Sequence, residues 1–308
     1  MEYKKTLIIG GTSGLGLELA RNMSANDERA IITGRHDPQV GFAEYKEFDL
    51  SGDHLPSRIG QFVLDLPPIS SLIYAAGFFQ EGHITDLSDE QVDDMINIGG
   101  RGLIFFTKKL LEKQDQLDEL VTITSTSQWV PREFEPVYNF AKAGAAHYSH
   151  GLSLDPRIRK TLVVGPSGMD TEFWSGSDND TTKMMRPEKV ARQIMNLRER
   201  NKHYTFAKIL GVTETLPQRV EVEFTSMPDW VPERKGLPMG MLRALQNEVN
   251  PNNSNRKLSD LLGCDESQIS RCGKRLLDNG YVQKQKTGRE NVWSITEVGS
   301  ALCNNNTY

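Results

Sequence analysis

The chain has 308 residues, of which 37% are hydrophobic and 25% charged, and a formal net charge of −5. That balance is ordinary for a water-soluble globular protein, and the length calls for one large or two unequal domains. No apolar run approaches the roughly 18 residues needed to span a bilayer. The start, Met1-Glu2-Tyr3-Lys4-Lys5, enters a β-like run without a signal-peptide core. The three cysteines, Cys264, Cys272 and Cys303, do not form a disulfide framework. A cytoplasmic protein is therefore expected.

The charge is uneven. Residues 236–308 carry nine Lys/Arg against seven Asp/Glu, a net of +2, and the remainder carries 27 against 34, a net of −7. An acidic body with a mildly basic tail hints at two jobs.

Thr6-Leu7-Ile8-Ile9 is a short apolar run of the kind buried in a parallel sheet. It leads directly into Gly10-Gly11-Thr12-Ser13-Gly14-Leu15-Gly16, after which Leu17, Leu19, Ala20 and Met23 have helical spacing. Strand, glycine turn and helix in that order suit a dinucleotide. The glycines let the backbone approach the pyrophosphate, and the helix N-terminus faces its charge.

A second run, Ala30-Ile31-Ile32-Thr33, ends in Gly34-Arg35. An NAD site would normally carry an acid here, whereas Arg35 suits a 2′-phosphate. NADP(H) is favoured, with NAD(H) kept open by Asp37. The seven residues from His36 to Phe42 are few for a crossover helix, so this connection is expected to be trimmed. Asp49 is placed to meet an adenine amine.

Further along, Ser71-Leu72-Ile73-Tyr74 ends in Ala75-Ala76-Gly77, and a helical stretch from Ser88 holds Asn97 in its middle. Val121–Thr124 delivers Ser125, and thirteen residues later Tyr138 opens a helix with Lys142 at i+4. Residues four apart share a helix face, so phenol and ammonium converge. A hydroxyl, a phenol and a lysine suit proton transfer at a carbonyl or alcohol oxygen.

Bringing a tyrosine from near pH 10 to neutrality takes roughly three units, on the order of 4 kcal/mol. A cation about 4 Å away at an effective dielectric near 20 supplies about that much. A second Tyr-x-x-x-Lys, Tyr204–Lys208, falls where a late strand over His203–Ala207 is expected, and is set aside. No metal-ligand spacing stands out. His147 and His150 read as interior or interfacial.

The ordered set resembles the short-chain dehydrogenase/reductase family over about residues 1–220. It comprises GGTSGLG at 10–16, Asp49, Ala75-Ala76-Gly77, Asn97, Ser125, Tyr138-Lys142 and GPSGMDT at 165–171. The resemblance implies an α/β, doubly wound parallel sheet of the Rossmann kind, and interconversion of a carbonyl and an alcohol by hydride transfer. Tyr138 would be the acid/base, Lys142 its tuner and ribose ligand, Ser125 the holder of the substrate oxygen, and Asn97 the support of a relay water. Gly10, Thr12, Ser13, Gly14, Leu15, Gly16, Arg35, Asp49, Ala76, Gly77 and Thr171 would complete the cofactor site.

This chain departs from the family in three places. Tyr74 and Ala75 replace the two asparagines of Asn-Asn-Ala-Gly, which loosens support of the central strand, and Ile9 replaces a threonine. Phe173, Trp174 and Trp129 are candidates for an apolar substrate wall, within a lid-like run at 172–180.

A Rossmann-like domain is thus expected over 1–222, a proline-bearing linker over 223–237, and a second domain over 238–308. In the last, Met241-Leu242 and Leu245 make a short helix, and a second ends near Leu262. Asp265-x-x-Gln268 caps a third, with Ile269, Leu276 and Leu277 on one face. A hairpin with a basic tip follows, then a helix near Thr296–Leu302.

This order resembles bacterial winged helix-turn-helix regulators of the multiple-antibiotic-resistance or arsenic-repressor kind. The resemblance implies double-stranded DNA as partner. Ser267, Gln268, Ser270 and Arg271 would read base edges, and Lys274, Arg275, Lys284, Lys286 and Arg289 would meet phosphates. Two alternatives stand beside it: a winged helix used for protein contact, and a regulator whose reductase fold senses a nicotinamide or metabolite. Both modules are commonly dimeric in the proteins they resemble, so a homodimer is expected.

Overall fold

The first strand, β1 (Lys5–Ile9), is buried on both faces. Leu7 and Ile9 join one apolar core and Ile8 the other, as the two-residue period of a strand requires. This computed structural model describes residues 5–175, 179–200, 202–211, 219–225, 237–247, 253–262, 264–287, 290–297 and 300. The chain divides into two units, Met1–Ser226 and Met227–Tyr308.

In the first unit the elements run β1, α1 (Gly14–Ala25), β2 (Arg29–Gly34), β3 (Glu44–Glu47), α2 (Leu55–Leu64) and β4 (Ser71–Tyr74). Then come α3 (Asp89–Ile96), a π-helical turn (Asn97–Arg101), α4 (Gly102–Gln114), β5 (Glu119–Ile123) and α5 (Pro136–Leu152). The unit closes with β6 (Thr161–Pro166), α6 (Pro187–Arg198), β7 (Tyr204–Leu210) and β8 (Arg219–Thr225).

The strands form one sheet in the order β3-β2-β1-β4-β5-β6-β7-β8, parallel except for the β7–β8 pair. Helices α1 and α6 cover one face through Leu19, Met23, Val190 and Ile194. Helices α2 and α4 cover the other through Ile59, Val63, Phe106 and Leu110. Strand order reverses between β1 and β4, and a crevice opens at the carboxyl ends of such strands.

Two features correct the sequence expectations. β7 was expected to be the last strand, with a linker from 223, but β8 runs to Thr225 and pairs antiparallel with β7. Its signal was the alternation of Val220, Val222 and Phe224 with Glu221 and Glu223, which the nearby prolines outweighed. Residues 226–236 of the expected linker lie outside the described residues. Helix α2 went unread, although its apolar spacing is clear.

The trimmed connection after β2 is as expected: no helix joins β2 to β3. Val40, Phe42 and Ala43 pack onto the α1 side instead, and the Arg21 guanidinium lies 4.8 Å above the Phe42 ring.

The second unit holds α7 (Leu237–Asn247), α8 (Asn255–Leu262), α9 (Glu266–Asp278) and an antiparallel hairpin of β9 (Val282–Thr287) and β10 (Glu290–Ile295). Its core gathers Met241, Leu242, Leu245, Leu258, Ile269, Leu276, Tyr281 and Trp293. The Trp293 indole donates to Asn255 Oδ1 at 2.7 Å, and a Cβ on Gly273 would lie 2.6 Å from its ring, so only glycine admits the indole there. Cys272, rather than the expected Leu277, completes the buried face of α9, and Leu277 is exposed. The helix expected near Thr296–Leu302 falls largely outside the described residues.

Candidate active site

A cleft of about 790 Å³ opens at the carboxyl ends of the parallel strands, within the range of small-molecule and cofactor sites. Gly10, Thr12, Ser13, Gly14, Leu15 and Gly16 form one end, with Arg35, His36 and Asp49. Ala75, Ala76, Gly77, Ser125, Tyr138, Lys142 and Thr171 lie further in.

The glycine turn is shaped for a close backbone approach. Gly10 has φ +77°, and a Cβ there would sit 2.7 Å from the Ala76 backbone. A Cβ on Gly16 would strike the Gly10 carbonyl. Ser13 flanks α1 without a side-chain capping bond, so the first-turn N–H groups of that helix remain donors toward the cleft. Thr171 faces Gly14 across it, within about van der Waals reach of a Cβ built there (3.3 Å). A cradle that any Cβ would fill, with uncapped helix donors behind it, fits a dinucleotide pyrophosphate.

Asp49 accepts from the Ser51 N–H and hydroxyl, each at 2.9 Å. Partial burial works to raise its carboxyl, but these bonds and the charges of Arg35 and Arg58 outweigh it and hold the group below the usual carboxylate range. Arg35 is exposed at the rim, and Asp37 is turned to the Gln39 N–H at 2.8 Å.

Ser125 ends the loop after β5, and Tyr138 and Lys142 lie one helical turn apart on α5. Tyr138 and Lys142 are 7% and 4% exposed, respectively. The Ser125 hydroxyl donates to Ser127 Oγ at 3.1 Å and lies near enough to the Tyr138 phenol to work against the upward push of burial. Lys142 Nζ lies 5.6 Å from the Tyr138 ring centroid and donates to the Ile123 carbonyl at 3.3 Å. Its ammonium is pushed down to about 8 by burial.

The lysine charge was expected to lower the tyrosine. Here burial dominates and raises the phenol above its ordinary value, since desolvation disfavours both charged forms. The tyrosine is therefore in its proton-donating form at neutral pH.

Asn97 is 6% exposed and stands behind the cleft rather than in its lining, where Asp94 and Ile98 appear. Its side-chain oxygen accepts from Arg101 at 2.8 Å. The helix is widened at this point. Gly102 N–H donates to the Asn97 carbonyl five residues back, and the Ile98 carbonyl accepts from the Tyr74 hydroxyl at 2.6 Å. Tyr74, which replaces a family asparagine, thus ties β4 to this turn, and Gly102 leaves room for its hydroxyl. Gly99 meets Ala141 of α5 so closely that a Cβ there would lie 2.8 Å from the Ala141 Cβ.

Aromatic residues wall the site beside Tyr138. Phe79 meets the phenol ring edge-on at 5.1 Å, and Phe173 and Trp174 pack on Phe79 at 5.8 and 5.1 Å. Phe173 and Trp174 line the cleft as expected, but Trp129 does not. It lies against Phe206, under Gly165, where the absence of a Cβ admits it. The pair Tyr204–Lys208 lies along β7, far from helical geometry, and Lys208 bridges to Glu221 at 3.7 Å. His147 and His150 are exposed, with His150 stacked on Tyr204 at 4.3 Å.

Sequence reasoning missed a polar group next to Ser125. Ser127, Arg132 and Glu135 are mutually hydrogen-bonded and line the cleft. The only signal was an Arg and a Glu three apart within the stretch between Ser125 and Tyr138.

The short chain dehydrogenase family model matches residues 4–182, more than half of the chain. The chain belongs to the short-chain dehydrogenase family. An uncharacterized oxidoreductase of Staphylococcus epidermidis is 23% identical over 211 residues, covering 63% of this chain and 90% of the relative. The 2,3-dihydro-2,3-dihydroxybenzoate dehydrogenase of Bacillus subtilis is 24% identical over 199 residues, 57% of this chain and 74% of that enzyme. Among solved structures, a short-chain dehydrogenase from Sphingobium yanoikuyae in complex with NADPH shares 19% identity with a TM-score of 0.59. The likeness covers 66% of this chain and 87% of that one. Membership of this family makes the chain an NAD(P)-dependent oxidoreductase acting on CH–OH or C=O groups. Among the described residues, no helix is long and apolar enough to cross a membrane.

In the second unit, Asp265 Oδ1 accepts from Gln268 N–H at 2.8 Å and Gln268 Oε1 from Asp265 N–H at 3.1 Å, the expected capping box. Ser267 and Gln268 are thereby engaged at the start of α9, each bonded to Asp265. Arg271, Lys274 and Arg275 on α9 and Lys284 and Lys286 on β9 are exposed, and Ser270 is half-buried. Arg289 lies outside the described residues.

Proposed function

We propose that the first unit is an NADP-dependent reductase that interconverts a carbonyl and an alcohol, its substrate seated against Phe173 and Trp174. The observation that carries this reading is that Ser125 and the buried Tyr138 and Lys142, the last two one helical turn apart, line one cleft with the glycine cradle. The nicotinamide, when bound, supplies the hydride. Gly10, Gly14, Leu15 and Gly16 hold the pyrophosphate against the α1 N-terminus, and Thr12, Ser13, Ala76, Gly77 and Thr171 close around the rest.

Arg35 supports the 2′-phosphate assignment. It carries the cation at the end of β2, and the nearby acid Asp37 is occupied by Gln39. Asp49, kept ionised, offers its carboxylate to the adenine amine. Tyr138 donates its phenol proton to the carbonyl oxygen, which Ser125 positions. Lys142 orients the ribose and favours the phenolate that results. Asn97 contributes by holding the widened turn that seats Ile98 in the cleft.

We read the second unit as a winged helix that binds double-stranded DNA, with α9 as the helix presented to the duplex and β9–β10 as the wing. Its support is the exposed basic side chains that α9 and β9 share. The enzyme reading is tested by following NADPH oxidation across a panel of ketones and aldehydes. Turnover of at least one carbonyl, faster with NADPH than with NADH, is expected, and no turnover of any would refute it.

A further inference from the structure

Ser125 stands on a loop, not on a strand. Between β5 and α5 the backbone forms only a short 3₁₀ turn, Thr126–Gln128, and a loop by itself holds a hydroxyl less closely than a helix or strand does. Side chains supply the missing support. The Ser125 hydroxyl donates to Ser127 Oγ at 3.1 Å and accepts from the Ser127 N–H at 3.2 Å, so two bonds to one residue hold its oxygen.

Ser127 is itself clamped. Its Oγ donates to Glu135 Oε2 at 2.7 Å and accepts from Arg132 Nη1 at 2.6 Å. Arg132 Nη1 also reaches Glu135 Oε2 at 3.2 Å, and its Nη2 donates to Thr126 Oγ1 at 2.8 Å. A hydroxyl has one proton and two lone pairs, and Ser127 uses all three. The proton goes to Glu135, and the lone pairs take Arg132 and Ser125. A guanidinium only donates and a carboxylate only accepts, so the arrangement has one direction. Ser127 is 4% exposed and Glu135 8%, and bonds so deeply placed are costly to leave unmade.

The far end of the group lies on the other catalytic element. Glu135 is the residue from which α5 starts, three positions ahead of Tyr138, and its carbonyl accepts from the Asn139 N–H at 2.8 Å. The bond from Ser127 to Glu135 therefore joins the loop that carries Ser125 to the first turn of the helix that carries Tyr138. The Arg132–Glu135 ion pair adds little net stability, because desolvation offsets its attraction. What it fixes is the place of Ser127 between the two elements.

We infer that Ser127, clamped by Arg132 and Glu135, is the positioning residue that sets the Ser125 hydroxyl for the substrate oxygen. The inference rests on the proposed role of Ser125 as the holder of that oxygen. When a carbonyl oxygen takes the Ser125 proton, Ser125 keeps its bond from the Ser127 N–H, and Ser127 keeps Arg132 and Glu135. The proton turns about the Ser125 Cβ–Oγ bond while both serine oxygens stay in place. Without the Ser127 hydroxyl, the Ser125 side chain is free to take another rotamer, and a misplacement of about 1 Å can cost roughly a hundredfold in rate.

The test is a two-residue cycle in the full chain: Ser125→Ala, Ser127→Ala and the double variant. It reads kcat for the best carbonyl substrate and the NADPH dissociation constant from nicotinamide fluorescence. Ser127→Ala should lower kcat about tenfold or more and leave NADPH affinity within about twofold, which also shows that the site is folded. A residue that acts through Ser125 costs nothing further once that hydroxyl is gone, so the double variant should match Ser125→Ala within about twofold. A merely structural role would multiply the two losses instead. Glu135→Gln still offers Ser127 an oxygen and should lose less rate than Glu135→Leu, which offers none.

The positioning role is overturned by a Ser127→Ala kcat within about twofold of the unaltered chain, by multiplied losses in the double variant, or by Glu135→Leu as fast as Glu135→Gln. The reductase reading fails separately, if the unaltered protein reduces no carbonyl or Ser125→Ala turns over as fast as it does, and the positioning role then falls too.

Discussion

The Tyr74 hydroxyl donates to the Ile98 carbonyl at 2.6 Å at the point where the helix widens to a π turn. Gly102 has no Cβ to block it. Strand β4 is therefore pinned to the turn that seats Ile98 in the cleft and Gly99 on Ala141 of α5. Tyr74→Phe leaves a buried carbonyl without its donor and should cost about 1–3 kcal/mol of unfolding free energy. Gly102→Ala should also destabilise, by collision with the phenol oxygen. The double variant should lose less than the sum of the two single losses, measured by urea denaturation, because removing the hydroxyl removes part of that collision. Additive losses would show that the two residues do not share this space.

Burial of Lys142 has a consequence for stability. Its ammonium titrates near 8 in the folded chain instead of 10.5, so folding costs free energy wherever the lysine stays charged. At about 1.4 kcal/mol per unit this is on the order of 3 kcal/mol at neutral pH. Between pH 8 and 10.5 the unfolded chain binds more protons than the folded one, so stability gained from this group rises with pH across that window. Lys142→Met should therefore raise the melting temperature at pH 7 while abolishing turnover. That gain should shrink toward pH 10.5, and a gain independent of pH would contradict the assignment.

Arg35→Ala should raise the KM for NADPH at least tenfold and leave that for NADH within about twofold, as expected for loss of a cation that meets only the 2′-phosphate. Equal changes for the two cofactors would refute the NADP assignment.

For the second unit, Arg271→Ala in the full chain should weaken binding to a preferred duplex by about 1–3 kcal/mol and relax its sequence preference. Lys286→Ala should weaken binding to all duplexes alike and flatten the salt dependence. If neither variant changes a mobility shift, the DNA reading is wrong.

Much of this architecture was legible in the residues, because the signals were local. The glycine turn at 10–16, the i, i+4 pair Tyr138–Lys142 and the Asp265–Gln268 box each depend on spacing within one or two turns, and spacing is visible in a sequence. What escaped depends on the tertiary environment. The tyrosine was expected to be lowered by its lysine, but the desolvation that raises it depends on how deeply α5 is buried. Asn97 looked like a cleft residue, but it is buried behind the lining with its side-chain oxygen held by Arg101. Trp129 looked like substrate lining until Gly165 proved to be its seat. The Ser127–Arg132–Glu135 network comes from a loop folding back on itself, a contact no periodicity predicts.

The most direct test of the central claim compares Tyr138→Phe with the unaltered chain, measuring NADPH affinity and carbonyl turnover in the same preparations. The phenyl ring keeps its packing against Phe79 but has no proton to give. NADPH affinity within twofold and turnover reduced at least about a hundredfold, the scale of a lost general acid, is the predicted result. Turnover that survives the substitution would contradict it.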